Sequence, residues 1–100
     1  MEDITVNELK KRLETGDKFI FIDVREPWEF AEFNLGAELI PLGSIPEAAK
    51  GALADHKTEE IIIHCRSGAR SGQAKMFLVQ MGYQNVRNVL GGVLAWQREF

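Results

Sequence analysis

Cysteine occurs once in this chain, at position 65, so no internal disulfide can form and the fold rests on packing alone. That cysteine and two separated histidines, His56 and His64, fall short of a closed zinc site, and no metal is expected. Neither common glycine pattern of a nucleotide-binding loop is present, and nothing else calls for a cofactor. A thiol redox enzyme of the thioredoxin kind would need a second nearby cysteine. No apolar run approaches the roughly 18 residues of a membrane span. The start, Met1-Glu2-Asp3-Ile4-Thr5, is acidic and unlike a secretory leader, so the expected setting is cytoplasmic, away from membranes.

Acidic residues are missing altogether between Ile61 and Arg98. Residues 1–60 carry 14 acids against 7 bases, and residues 61–100 carry 5 bases against one acid. Two readings of this asymmetry stand side by side: a basic patch that serves a small anion, or two halves that face each other with opposite charge. The basic half has no aromatic-interleaved stripe, which argues against a nucleic-acid partner.

At 100 residues with 45% hydrophobic content, the chain has the size of one domain with one core, expected over 1–100. Short strands and helices alternate along it. Ile4-Thr5 reads as a brief strand, and Thr5 and Glu8 have capping-box spacing for a helix over 7–14 that stops at Gly16. Phe19–Val24 reads as a strand covered on both faces. Pro27 suits the first turn of a helix over 28–33. Glu38–Leu42 reads as a strand, and a helix runs from Pro46 through Leu53.

Further on, Glu60–His64 is a second buried strand, and Ser67–Met81 is a long helix with Ala74, Phe77, Leu78 and Met81 on one stripe. Val86–Val89 is the last strand and 92–100 the last helix. The expected fold is α/β, with a mostly parallel five-stranded sheet flanked by helices on both faces. Ligands in such folds sit at the carboxyl ends of the strands.

At one such end lies His64-Cys65-Arg66-Ser67-Gly68-Ala69-Arg70-Ser71. A polar loop that contains glycine turns successive N–H groups inward, and the helix after it adds its own free N–H groups. Arg66 and Arg70 put two positive charges within five positions of the sulfur. All of these favour thiolate over thiol. A lone cysteine is more often a small buried hydrophobe. Here Cys65 stands where the strand leaves the core, followed by two arginines and no large apolar side chain. His64, next to it on a strand, is expected to point away from the sulfur. Asp23 and Arg25, at the end of a neighbouring strand, are expected to form a structural ion pair. Ser67 and Ser71 are expected to cap the helix, His56 to be solvated, and Trp28 and Trp96 to lie in the core. Leu94 and Trp96 are candidates to border the pocket.

The segment from His64 to Ser71 resembles the active-site loop of the rhodanese family. Asp23-Val24-Arg25-Glu26 is similar to that family's upstream acidic–arginine signature, and Leu90-Gly91-Gly92-Val93-Leu94-Ala95-Trp96 to its closing signature. The family's usual histidine and proline near Asn34-Leu35-Gly36-Ala37 are Phe33 and Leu35 here. The resemblance implies a sulfurtransferase. Cys65 would take the outer sulfur of a small anionic donor such as thiosulfate, hold it as a persulfide, and pass it to a thiol or cyanide. Arg66, Ser67, Gly68, Ala69 and Arg70 would bind substrate and stabilise the persulfide, with Asp23 and Arg25 in support. A persulfide carrier or regulatory module for a protein partner would use the same chemistry. A cysteine phosphatase or arsenate reductase is the rival on this scaffold. Phosphatases of that type place five residues between cysteine and arginine, whereas four separate Cys65 from Arg70. The shorter loop suits a single sulfur atom better than a phosphate.

Overall fold

The computed structural model describes residues 2–100. Its sheet is built from β1 (Ile20–Asp23), β2 (Glu38–Leu39), β3 (Ile61–His64) and β4 (Val86–Asn88). The order is β2-β1-β3-β4, with all three pairings parallel. The central pair runs in register from Ile20 beside Ile61 to Asp23 beside His64.

The sheet therefore has four strands where five were expected. Ile4 contributes a single parallel bridge to Val89. Its neighbour explains why it stops there: the Thr5 hydroxyl accepts the Glu8 N–H at 3.1 Å and starts helix α1 (Val6–Glu14) at once. The capping box is only half formed, because the Glu8 carboxylate goes instead to Arg87 at 3.1 Å. The expected strand 38–42 shortens to Glu38–Leu39, although the N–H groups of Ile40 and Leu42 still bond to β1 and Val24 carbonyls.

Helix α2 (Pro27–Glu32) opens on its proline, as its missing N–H and fixed φ allow. Helix α3 (Ile45–Lys50) ends at Gly51, earlier than expected, and the chain reaches β3 through a short 3-10 turn at 54–56. Helix α4 (Ala69–Gln80) starts two residues later than predicted, and α5 (Gly92–Glu99) closes the fold.

Strand alternation divides the core between the two faces of the sheet. Ile22, Ile61, Ile63, Ala74 and Leu78 pack on the α3/α4 side. Ile4, Leu9, Ile62, Val89 and Ala95 pack on the α1/α5 side. Phe77 and Met81 also pack against the first of these clusters, so the stripe read from α4 is the one that faces inward.

The charge asymmetry resolves as opposed halves. Arg70 pairs with Glu29, Lys75 with Asp3, and Arg87 with Glu8 and Glu60. Arg66 is exposed and forms no ion pair among the described residues. No helix among them is long and apolar enough to cross a membrane.

Candidate active site

Strand β3 carries Cys65 to the carboxyl edge of the sheet. Ile61, Ile63 and Cys65 project to the α3/α4 side. His64 projects to the other, its ring centroid 5.4 Å from that of Phe21. It therefore cannot act as a base toward the Cys65 sulfur from this position. Burial holds the His64 imidazole below its ordinary value, against the pull of the Asp23 carboxylate 3.6 Å away.

Past Cys65 the backbone turns through Arg66, Ser67 and Gly68. Gly68 sits at φ +103°, a conformation that costs glycine little and other residues much. Its N–H donates to the Cys65 sulfur at 3.1 Å, and the Ser71 hydroxyl lies 3.3 Å from the same atom. Burial pushes the thiol up. The Ser71 hydroxyl, together with the N–H groups of Ser71, Gly68 and Ser67, outweighs it and leaves Cys65 below its ordinary value.

The last helix shapes this loop from behind. The N–H groups of Val93 and Leu94 donate to the carbonyls of Cys65 and Arg66, both at 3.0 Å. The C=O and N–H of one peptide point in opposite directions. Anchoring these two carbonyls outward thus turns the Arg66 and Ser67 N–H groups inward. So close an approach requires glycine at 92: a β-carbon there would lie 2.7 Å from the Arg66 carbonyl oxygen and closer still to that of Cys65.

The arginines have different surroundings. Arg70 is held by Glu29 in a bidentate pair at 2.7 and 2.9 Å. That contact, helped by the Glu26 N–H, pulls the Glu29 carboxyl down to about 2 despite its burial. The Glu29 partner was not foreseen. Arg66 is exposed at the loop. Asp23 and Arg25 are buried and joined by bonds of 2.9 to 3.1 Å, and Arg25 also donates to the Phe33 carbonyl. This ion pair ties the end of β1 to the turn after α2, where Phe33 and Leu35 depart from the family's usual residues. Beside the loop an open cleft of about 150 Å³ is lined by Arg25, Trp28, Phe33, Arg66 and Leu94, among others.

Three expectations need correction. Trp28 is not core: it is 65% exposed on the rim of that cleft, because α2 turns its Glu29 inward and leaves Trp28 toward solvent. Trp96 instead packs on the α1/α5 side against Phe100, while Leu94 does border the cleft. Neither serine caps α4, whose N-cap is Gly68. Ser71 is fully buried within the first turn, its hydroxyl 2.6 Å from the Asn88 side-chain oxygen as well as near the sulfur. Asn88 completes the arrangement by donating to the Gly68 carbonyl at 3.1 Å. Its place at the end of the strand beside β3 was the available signal. Ala69 opens α4 exposed, and His56 is half-exposed and paired with Glu59.

Residues 5–99 match the model of the rhodanese-like domain. A sulfurtransferase of Allochromatium vinosum is 35% identical over 98% of this chain and 90% of its own length. The thiosulfate sulfurtransferase PspE of Escherichia coli is 39% identical, over 71% of this chain and 68% of its own. Among solved structures, a rhodanese-like domain protein from Staphylococcus aureus superposes with a TM-score of 0.81 at 35% identity, covering 96% of this chain and 91% of that one. The chain belongs to the rhodanese-like domain family. Sulfurtransferases are among its relatives.

Proposed function

We propose that this protein is a sulfurtransferase that moves a sulfane sulfur from thiosulfate or a related small anionic donor through a persulfide on Cys65. One observation carries the reading: the only cysteine meets several converging donors in a short loop at the carboxyl edge of the sheet.

In the first step the Cys65 thiolate attacks the outer sulfur of thiosulfate. The S–S bond of the donor breaks, sulfite leaves with its electron pair, and the persulfide anion stays on the enzyme. In the second step cyanide or a thiolate attacks the outer persulfide sulfur, and Cys65 departs as thiolate. Charge is conserved in each step, and no proton or redox partner is required. Covalent catalysis of this kind divides one hard transfer into two easier ones. Fixed N–H donors from Arg66 to Arg70 would meet the anionic sulfur without reorganising. With Arg70 engaged by Glu29, Arg66 is the cation left to hold the sulfonate end of the donor.

A protein that delivers or accepts the sulfur is a second reading, favoured by the apolar rim of Trp28, Phe33 and Leu94 beside the loop. The same thiol would serve either route.

The test is intact mass after incubation with thiosulfate, with sulfite followed in parallel and Cys65→Ser as control. A gain of about 32 Da on the native chain alone, matched by sulfite, is the expected result. No gain together with hydrolysis of a phosphate ester would sink the sulfur reading. No gain and no hydrolysis would move the donor to a protein persulfide.

A further inference from the structure

Ser71 has one hydroxyl proton and two acceptors. The Asn88 side-chain oxygen lies 2.6 Å from the hydroxyl, and the Cys65 sulfur 3.3 Å from it. The orientation of the Asn88 amide is not free. Its NH2 end faces the Gly68 carbonyl at 3.1 Å, and a carbonyl can only accept. The oxygen end must then face Ser71, and the shorter contact takes the proton. With the proton on that side, a Ser71 lone pair faces the sulfur, which suits S–H and not S⁻.

We propose that Asn88 is a positioning residue that competes with the Cys65 sulfur for the Ser71 hydroxyl proton, releasing it to the sulfur only when the sulfur is anionic. This rests on Cys65 being the reacting atom. During sulfur transfer the proton turns twice. It faces Cys65 in the free thiolate and returns to Asn88 when the outer persulfide sulfur carries the charge. It then swings back as Cys65 leaves in the second step. Asn88 touches no reacting atom. It acts through Ser71 and through the Gly68 carbonyl, whose residue donates an N–H to the sulfur.

Other charges bear on the same sulfur. Arg66 and Arg70 lie on the loop and α4, with Glu29 of α2 paired to Arg70. Asp3, paired with Lys75, accepts the Asn88 backbone N–H at 3.0 Å. At the end of β1, Asp23 and Arg25 pair with each other, with His64 beside them. These groups are unchanged in the variants below. Asn88→Ala also frees the Gly68 carbonyl, so the share of the hydroxyl is the effect of Asn88→Ala with Ser71 present less its effect with Ser71 replaced by alanine.

The experiment follows thiolate absorbance near 240 nm against pH, with Cys65→Ser as baseline, in native protein, Asn88→Ala, Ser71→Ala and the double variant. It requires no sulfur donor, so it reads the competition even where sulfur transfer fails. Asn88→Ala should lower the midpoint by on the order of half a unit to one unit, the worth of one neutral hydrogen bond. Ser71→Ala should raise it, and adding Asn88→Ala to Ser71→Ala should give no fall. A midpoint unchanged or raised in Asn88→Ala, or an equal fall in the Ser71→Ala background, would overturn the proposal. If Asn88→Ala does not fold, the near-isosteric Asn88→Asp carries the test. It holds the hydroxyl more tightly and should raise the midpoint, by less once Ser71 is replaced by alanine. An equal rise in both backgrounds would refute the competition.

Discussion

Replacing Gly92 by alanine would add a methyl group 2.7 Å from the Arg66 carbonyl oxygen, and closer still to that of Cys65, at a residue with φ +54°. The obstacle is loop backbone at Cys65 and Arg66, so no flexible side chain can move aside. To make room, α5 must withdraw from the loop and release the Val93 and Leu94 hydrogen bonds, both 3.0 Å. Two such bonds contribute about 1 kcal/mol each, and a left-handed alanine costs about 1–2 kcal/mol more. The sum, about 3–4 kcal/mol, is a large part of what a domain of this size has. Urea unfolding should show it as a fall in midpoint of roughly 2–3 M. The Arg66 and Ser67 peptides would also be free to turn, so the Cys65 thiol should titrate at higher pH. Gly36→Ala is the control. Gly36 has φ +87° but nothing within 4 Å of its added carbon, so only the conformational cost of about 1–2 kcal/mol should appear. A Gly92→Ala protein no less stable than Gly36→Ala, with its thiol titration unmoved, would refute the view that α5 sets the loop.

Arg25→Ala would strand the fully buried Asp23 carboxylate and should cost about 3–5 kcal/mol in urea unfolding, whereas combining it with Asp23→Asn should recover part of that loss. Glu29 has its carboxyl at about 2 in the fold against an ordinary 4.5, so its contribution is full above pH 4.5 and is lost as pH falls toward 2. The third of Arg70 left exposed screens the pair. Glu29→Gln should therefore remove on the order of 1–2 kcal/mol at pH 6 and little at pH 2, checked by urea unfolding at both. Arg66→Ala should raise KM for thiosulfate about tenfold while leaving the Cys65 titration within about half a unit, as steady-state sulfite release and absorbance would show. Equal loss in kcat alone would place Arg66 in the transfer step and not in donor binding.

Much of the architecture is written in local pattern. The apolar run before His64 and the polar residues after Cys65 mark a strand end with a loop, and Pro27 marks a helix start that the fold keeps, while the helix expected through Leu53 stops at Gly51. Strand alternation sends His64 and Cys65 to opposite faces, as their adjacency requires. Local pattern is silent on contacts that only the assembled sheet creates. Glu29 and Arg70 lie 41 positions apart and meet because α2 folds over the start of α4. Ser71 has the sequence of a capping residue, and burial beside the sulfur assigns it otherwise. The missing fifth strand follows from two local signals in conflict. Thr5 can extend a strand or cap a helix, and the cap wins.

The hold of α5 on the loop also has a bearing on how the molecule is made. A ribosome delivers Cys65 well before it delivers Val93 and Leu94, the residues that turn the loop carbonyls outward. Until those two emerge, the nascent chain carries a thiol with no shaped cradle around it. The reactivity proposed for Cys65 would therefore arrive in its shaped form only late in synthesis, when the helix that carries Val93 and Leu94 docks.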